Sequence, residues 1–145
     1  MIYNVNSLSK LGPSGAFGKA AMELGERYDN IGIFTADLRH FSGLDRFGTV
    51  YPDKLYNVGI AEQNLIRVAS GFASEGNISF ATTYASFASM RCADQVFMNM
   101  AYMSRNVKLV GFAAGLGSGI LGPTHMSIND IAVFRSMPNI TILSP

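Results

Sequence analysis

Apolar positions along the chain keep changing rhythm, between a helical spacing and short unbroken runs. Phe17, Ala21, Leu24 and Tyr28 recur at helical intervals with charges between them, which predicts a helix over residues 14–29. Ile31 to Ala36 is a short apolar run ending in Asp37, and it reads as a strand followed by a polar loop through Arg39, His40 and Ser42. Pro52-Asp53 marks a turn, and Leu55 to Ile60 reads as a second strand. Leu65, Ile66, Val68, Ala69 and Phe72 predict a helix over residues 61–75, stopped by Gly76-Asn77.

The alternation then repeats. Ile78 to Thr83 is a third strand, residues 86–105 a long helix rich in Met and Ala, and Val107 to Ala113 a fourth strand before a glycine-dense loop. Ser127 with Asp130 three residues on has the form of a capping box, with Ile128, Ile131, Ala132 and Phe134 as the inner face of a last helix. Ile140 to Leu143 reads as a fifth strand. Strands alternating with helices imply a parallel α/β sheet, and ligands of such sheets sit beyond the carboxyl ends of the strands. Asp37, Glu62, Tyr84, Phe87 and His125 all fall on or just after those ends.

Composition narrows this picture. The chain has 145 residues, which fits one domain of ordinary size and leaves little room for two. Charged residues make up 14%, against roughly 25% in an average soluble domain, so either the sheet is mostly buried or a large surface is meant for a partner. A net charge of +1 argues against nucleic-acid binding by phosphate neutralisation. Cys92 is the only cysteine, which excludes an internal disulfide and a thiolate metal cage. With no secretory signal at the start and no apolar run near 18 residues, a cytoplasmic protein is expected.

Glu62 stands at the first turn of a helix, where a carboxylate complements the helix dipole. Its neighbours Gly59-Ile60-Ala61 and Asn64-Leu65-Ile66 are mostly apolar, so burial is expected, and a buried carboxylate needs a partner or becomes a proton donor. His125 follows a Gly-Pro turn at the ligand edge, suited to acid/base work or to holding hydroxyls, although a lone histidine is more often structural. Tyr84 and Phe87 are either core or a flat surface for a heterocycle. Residues 117–122 match the dinucleotide pattern G-x-G-x-x-G, but they follow the fourth strand and lack the expected acid, so a nicotinamide site is set aside.

Asn57-Val-Gly-Ile-Ala-Glu-Gln-Asn64 resembles the signature around the catalytic glutamate of transketolases and 1-deoxyxylulose 5-phosphate synthases. In the same order, Thr83-Tyr84-Ala-Ser-Phe87 with Arg91, Asp94 and Gln95 resembles the segment whose aromatic packs on the cofactor's pyrimidine. Gly122-Pro-Thr-His125 with Asp130-Ile-Ala, Arg135 and Pro138-Asn139 resembles the family's histidine loop and helix, and Ala36-Asp37-Leu38 its first loop. The style is that of separately encoded C-terminal subunits of split transketolases.

The resemblance implies a three-layer α/β/α pyrimidine-binding domain with a mainly parallel sheet, lacking its last elements and the family's C-terminal domain. It implies thiamine diphosphate, with Glu62 at pyrimidine N1′, Phe87 and Tyr84 stacking on the ring, and Ile60 and Asp37 near the cofactor. His125 would serve substrate hydroxyls or protons. Mg2+ and the diphosphate would be held mainly by a partner subunit carrying a Gly-Asp-Gly…Asn segment, which this sequence does not contain, in a homodimer or heterotetramer. Departures bear on the sugar substrate: Ser14 stands where many relatives have Arg, Ala113 where classical transketolases have His, Leu121-Gly122 where an acidic-glycine pair is common, and Ala93 where the long helix carries a second aromatic. The alternatives are a non-catalytic assembly module on the same fold, and a 1-deoxyxylulose 5-phosphate synthase-like enzyme.

Overall fold

A computed structural model describes residues 4–145. Four parallel strands form one sheet in the order β2-β1-β3-β4: β1 Ile31–Thr35, β2 Leu55–Asn57, β3 Ile78–Tyr84 and β4 Val107–Phe112. Every residue of β1 is buried, as its unbroken apolar run requires of a strand covered on both faces. β1 runs in register with β3 from Ile31 opposite Ile78 to Thr35 opposite Thr82.

Successive side chains point to opposite faces, and this divides the core in two. Phe34 and Ala81 face one layer, where Leu65, Ile66 and Ala69 of α3 (Glu62–Ser74) meet Cys92 and Val96. Ile33 faces the other layer, against Ala21 of α1 (Val5–Arg27) and Leu44 and Phe47, the last within α2 (Asp45–Val50). The arrangement is three-layered and α/β. No helix among the described residues is long and apolar enough to cross a membrane.

α1 is kinked at Gly12, whose φ of 68° precedes Pro13, so the expected helix occupies its second part. That part lies against the loop after β1 with almost no space: a Cβ on Gly18 would sit 2.1 Å from the carbonyl oxygen of Gly43. Two spans came out shorter or less regular than their pattern suggested. β2 stops at Asn57, short of the expected Ile60, where the Asn57 side chain takes over the bonding and Gly59 turns with φ 74°. The long helix is three pieces: a π-helical turn Phe87–Arg91, the short α4 (Ala93–Val96), and a second π-helical stretch Phe97–Tyr102.

The end of the chain departs from expectation in three ways. The last helix, α5 (Asp130–Arg135), starts after Asn129 with no side-chain cap, and Ser127 is not its cap. Ser127 is instead buried and pinned by a two-way backbone bridge to Gly115, which fixes it before the helix begins. Ile128 and Ile131 are exposed, and Phe134 with Met137 provides the packing side. Residues 140–143 form no strand: they find no ladder partner among the described strands, and only Ile140 packs on the core.

The tight approach of α1 makes a sharp contrast testable by urea denaturation. Gly18→Ala should lower stability by about 1–3 kcal/mol or more, because backbone would have to move. Gly71→Ala, in α3 with nothing within 4 Å of the added carbon, should raise it by about 0.5–1 kcal/mol.

Candidate functional site

All four strands end on one rim, and the candidate residues gather there. Glu62 is the first residue of α3, and its side chain is only 2% exposed. The helix start favours its negative charge, but burial alone would not. Compensation comes from the long helix: Arg91 donates from Nη1 to Glu62 Oε1 at 2.7 Å. The backbone of Arg91 is held in turn, since Gln63 donates from Nε2 to its carbonyl at 3.2 Å. An open depression of about 440 Å³ lies beside the pair, with Ile60, Asn64 and Arg67 among its walls.

The second component is a chain of rings. The guanidinium of Arg91 lies over the Phe87 ring, 4.0 Å from its centroid. Phe87 meets Tyr84 edge-on at 5.5 Å, and both meet the His125 imidazole, at 5.1 and 5.2 Å. Tyr84 is stacked on its other side by Phe41 at 4.2 Å. The His125 ring reaches Thr124 through Nδ1 at 3.0 Å. The loop carrying His125 is tied down by Ser118, whose hydroxyl donates to the His125 carbonyl at 2.6 Å. Glu62, Arg91, Phe87, Tyr84 and His125 thus form one contiguous set.

Asp37 and Ile60 stand apart from that set. Asp37 is exposed, at φ 59°, and is locked to Asn57, which donates to its carboxylate and accepts from its backbone N–H. Asn57 also accepts from Gly59 N–H, so one amide ties the loop after β1 to the turn leading into Glu62. Ile60 is 77% exposed and borders the depression. His40 pairs with Asp45 and is not part of that set.

Sequence reasoning assigned no role to Arg91, Asn57 or Phe41. The first two lie inside the motifs quoted above. Phe41, in a polar loop, had no signal. No group of three or more His, Cys, Asp or Glu side chains converges among the described residues as a metal site would.

Residues 10–145 match the family described as transketolase, pyrimidine binding domain. The chain belongs to that family. It is 39% identical over 124 residues to a 6-deoxy-6-sulfo-D-fructose transketolase subunit, SqwH, of a Clostridium species, covering 86% of this chain and 38% of that protein. It is 38% identical over 141 residues to the 1-deoxy-D-xylulose-5-phosphate synthase of Desulfotalea psychrophila, covering 95% of this chain and 22% of the other.

A solved split gene transketolase, described as an inactive beta4 tetramer, superposes with a TM-score of 0.73 at 37% identity, over 85% of this chain and 39% of that one. The chain therefore spans about two-fifths or less of the length of these relatives. The transketolase domain shares its fold and family with thiamine diphosphate-dependent enzymes. The donor set fits the pyrimidine half of that cofactor: a dry carboxylate for a ring nitrogen, next to an aromatic face.

Cys92, which follows Arg91, reports on the same corner. It is fully buried, and burial pushes its thiol from the ordinary 9.0 up to about 12, with the Glu62 charge adding to the rise and Arg91 opposing it. The folded state therefore holds this proton over a pH range in which the unfolded chain has lost it. That contribution is complete below pH 9 and is lost as pH rises toward 12. Denaturation midpoints should fall above pH 9, with a Cys92 share of about 1.4 kcal/mol per pH unit that is missing in Cys92→Ala.

Proposed function

We propose that this transketolase domain is the pyrimidine-binding half of a thiamine diphosphate-dependent site that transfers a two-carbon ketol unit between sugars. The observation that carries the reading is the Glu62 carboxylate, almost fully buried at a helix start and linked through Arg91 to the Phe87 ring. A carboxylate in such a place shares a proton with a ring nitrogen rather than yielding it to water. Glu62 holds that proton at N1′. Phe87 offers a ring face, Tyr84 backs it, and Phe41 backs Tyr84, so the stacking surface is fixed before anything binds. His125, wedged against both aromatics, is placed to bond substrate hydroxyls or move protons, while Asp37 and Ile60 border the cofactor's path. When bound, the cofactor supplies the carbon nucleophile and the electron sink.

The other half of the site would come from a diphosphate-binding subunit that also holds Mg2+ through oxygen ligands. Two facts support dependence on a partner. Relatives that this chain matches over part of their length are themselves subunits of transketolases. On the rim, Ile60, Leu116, Ile120 and Ile128 expose large apolar side chains without cover.

Mixing the chain with a diphosphate-binding subunit, thiamine diphosphate and Mg2+ should give ketol transfer. Glu62→Gln should lower kcat by about 100-fold or more while the mixture still assembles, since general acid–base groups contribute that much. Unchanged turnover in that variant would sink the assignment. A second reading, an assembly module without catalysis, draws on the fact that Glu62 is already neutralised by Arg91. Calorimetric titration with cofactor separates the two, because a scaffold binds none with or without the partner. Product analysis with pyruvate as donor distinguishes a deoxyxylulose phosphate synthase-like reaction.

A further inference from the structure

The two surfaces assigned above to the pyrimidine are covered by the same side chain. The guanidinium of Arg91 donates to Glu62 Oε1 at 2.7 Å and lies over the Phe87 ring at 4.0 Å. A guanidinium is planar, cationic and edged with N–H donors, and it stacks on aromatic faces. An aminopyrimidine protonated at a ring nitrogen has the same three properties. One flat group therefore occupies the carboxylate and shields the ring that another flat group would use.

We propose that Arg91 is a displaceable stand-in for the pyrimidine, expelled when the heterocycle enters. The inference rests on the reading of Glu62 and Phe87 as the pyrimidine's seat. Three observations separate a stand-in from a purely structural ion pair. The Arg91 side chain is 44% exposed while its partner is 2% exposed, so the arginine approaches from the solvent side and can leave toward it. Among the described residues, Glu62 is the one carboxylate within ion-pair distance of Arg91, so withdrawal breaks a single pair. The backbone of Arg91 is held independently, by the Gln63 amide and by the π-helical turn, so the side chain can swing without unravelling its helix.

The arrangement has a thermodynamic consequence. Without Arg91, Glu62 would be a buried carboxylate with no counter-charge, which is costly. With it, Glu62 stays paired until the ligand takes over, and the ligand's affinity is reduced by the free energy of the contacts it replaces. Those contacts are one half-exposed ion pair and one cation–π pair.

The test uses the full chain and thiamine, which carries the pyrimidine but no diphosphate and so needs no metal-holding partner. Arg91→Ala should bind thiamine roughly three- to tenfold more tightly than wild type. Methylguanidinium should compete with thiamine in that variant and not in wild type. Independently, the Arg91 side-chain N–H signal of 15N-labelled wild type should move to a solvent-exposed position on saturation with thiamine. That measurement decides the matter alone if Arg91→Ala does not fold.

Equal or weaker thiamine binding by folded Arg91→Ala overturns the proposal, as does an Arg91 signal that stays in place at saturation. If thiamine binds wild type but the variant shows no gain, only the stand-in fails. If no folded variant binds thiamine, the pyrimidine reading falls and the stand-in falls with it.

Discussion

Because β1 and β3 pair in parallel over five residues, from Ile31 with Ile78 to Thr35 with Thr82, the chain cannot turn straight back at either end. Each strand needs a crossover, and each crossover leaves from the same edge of the sheet. The first functional consequence is positional. The residues that follow β1, β2, β3 and β4 are Asp37, Glu62, Phe87 and the His125 loop, placed on one edge of the sheet although the outer two are separated by most of the sequence. The second concerns layers: the crossovers cover both faces of β1, which is why its five residues are all buried and why two separate cores exist.

On that rim, charge and aromatic packing depend on each other. Glu62 is dry enough to be useful only because α3 begins at it and Arg91 neutralises it. Arg91 in turn rests on Phe87, Phe87 meets Tyr84, and Tyr84 is stacked on Phe41 from the loop after β1. Asn57 closes the circuit by fastening that loop to the turn before Glu62. Segments following three of the strands thus constrain one carboxylate. The ring stack from Phe41 through Tyr84 to Phe87 is thus set by the fold itself.

Much of this was legible in the sequence where a local rule governed. α3 could be read because Leu65, Ile66, Ala69 and Phe72 repeat at helical spacing, and the burial of Glu62 because its neighbours are apolar. The identity of its partner could not, since Arg91 is far along the chain and only packing brings it near. α2 escaped notice because six residues with one buried side chain, Phe47, make no periodic signal. Ser127 looked like a cap because serine with an acid three residues on usually is one. Its bridge to Gly115 is a long-range constraint that no local pattern contains. Residues 140–143 carry a strand's pattern without a ladder partner, and a strand is a pairing rather than a property of four residues.

The π-helical turn from Phe87 to Arg91 is in effect one residue more than an α-helix would use for the same span. Removing a residue from within it would restore ordinary winding and rotate everything beyond by about 100° relative to Phe87. Cys92, now inside the core, would be turned away from it, and Arg91 would no longer overlie the ring. Chain length at this point therefore acts as an angular setting, with the side chains themselves unchanged. A homologue one residue shorter here could keep every residue type of the motif and still present a different face to its ligand.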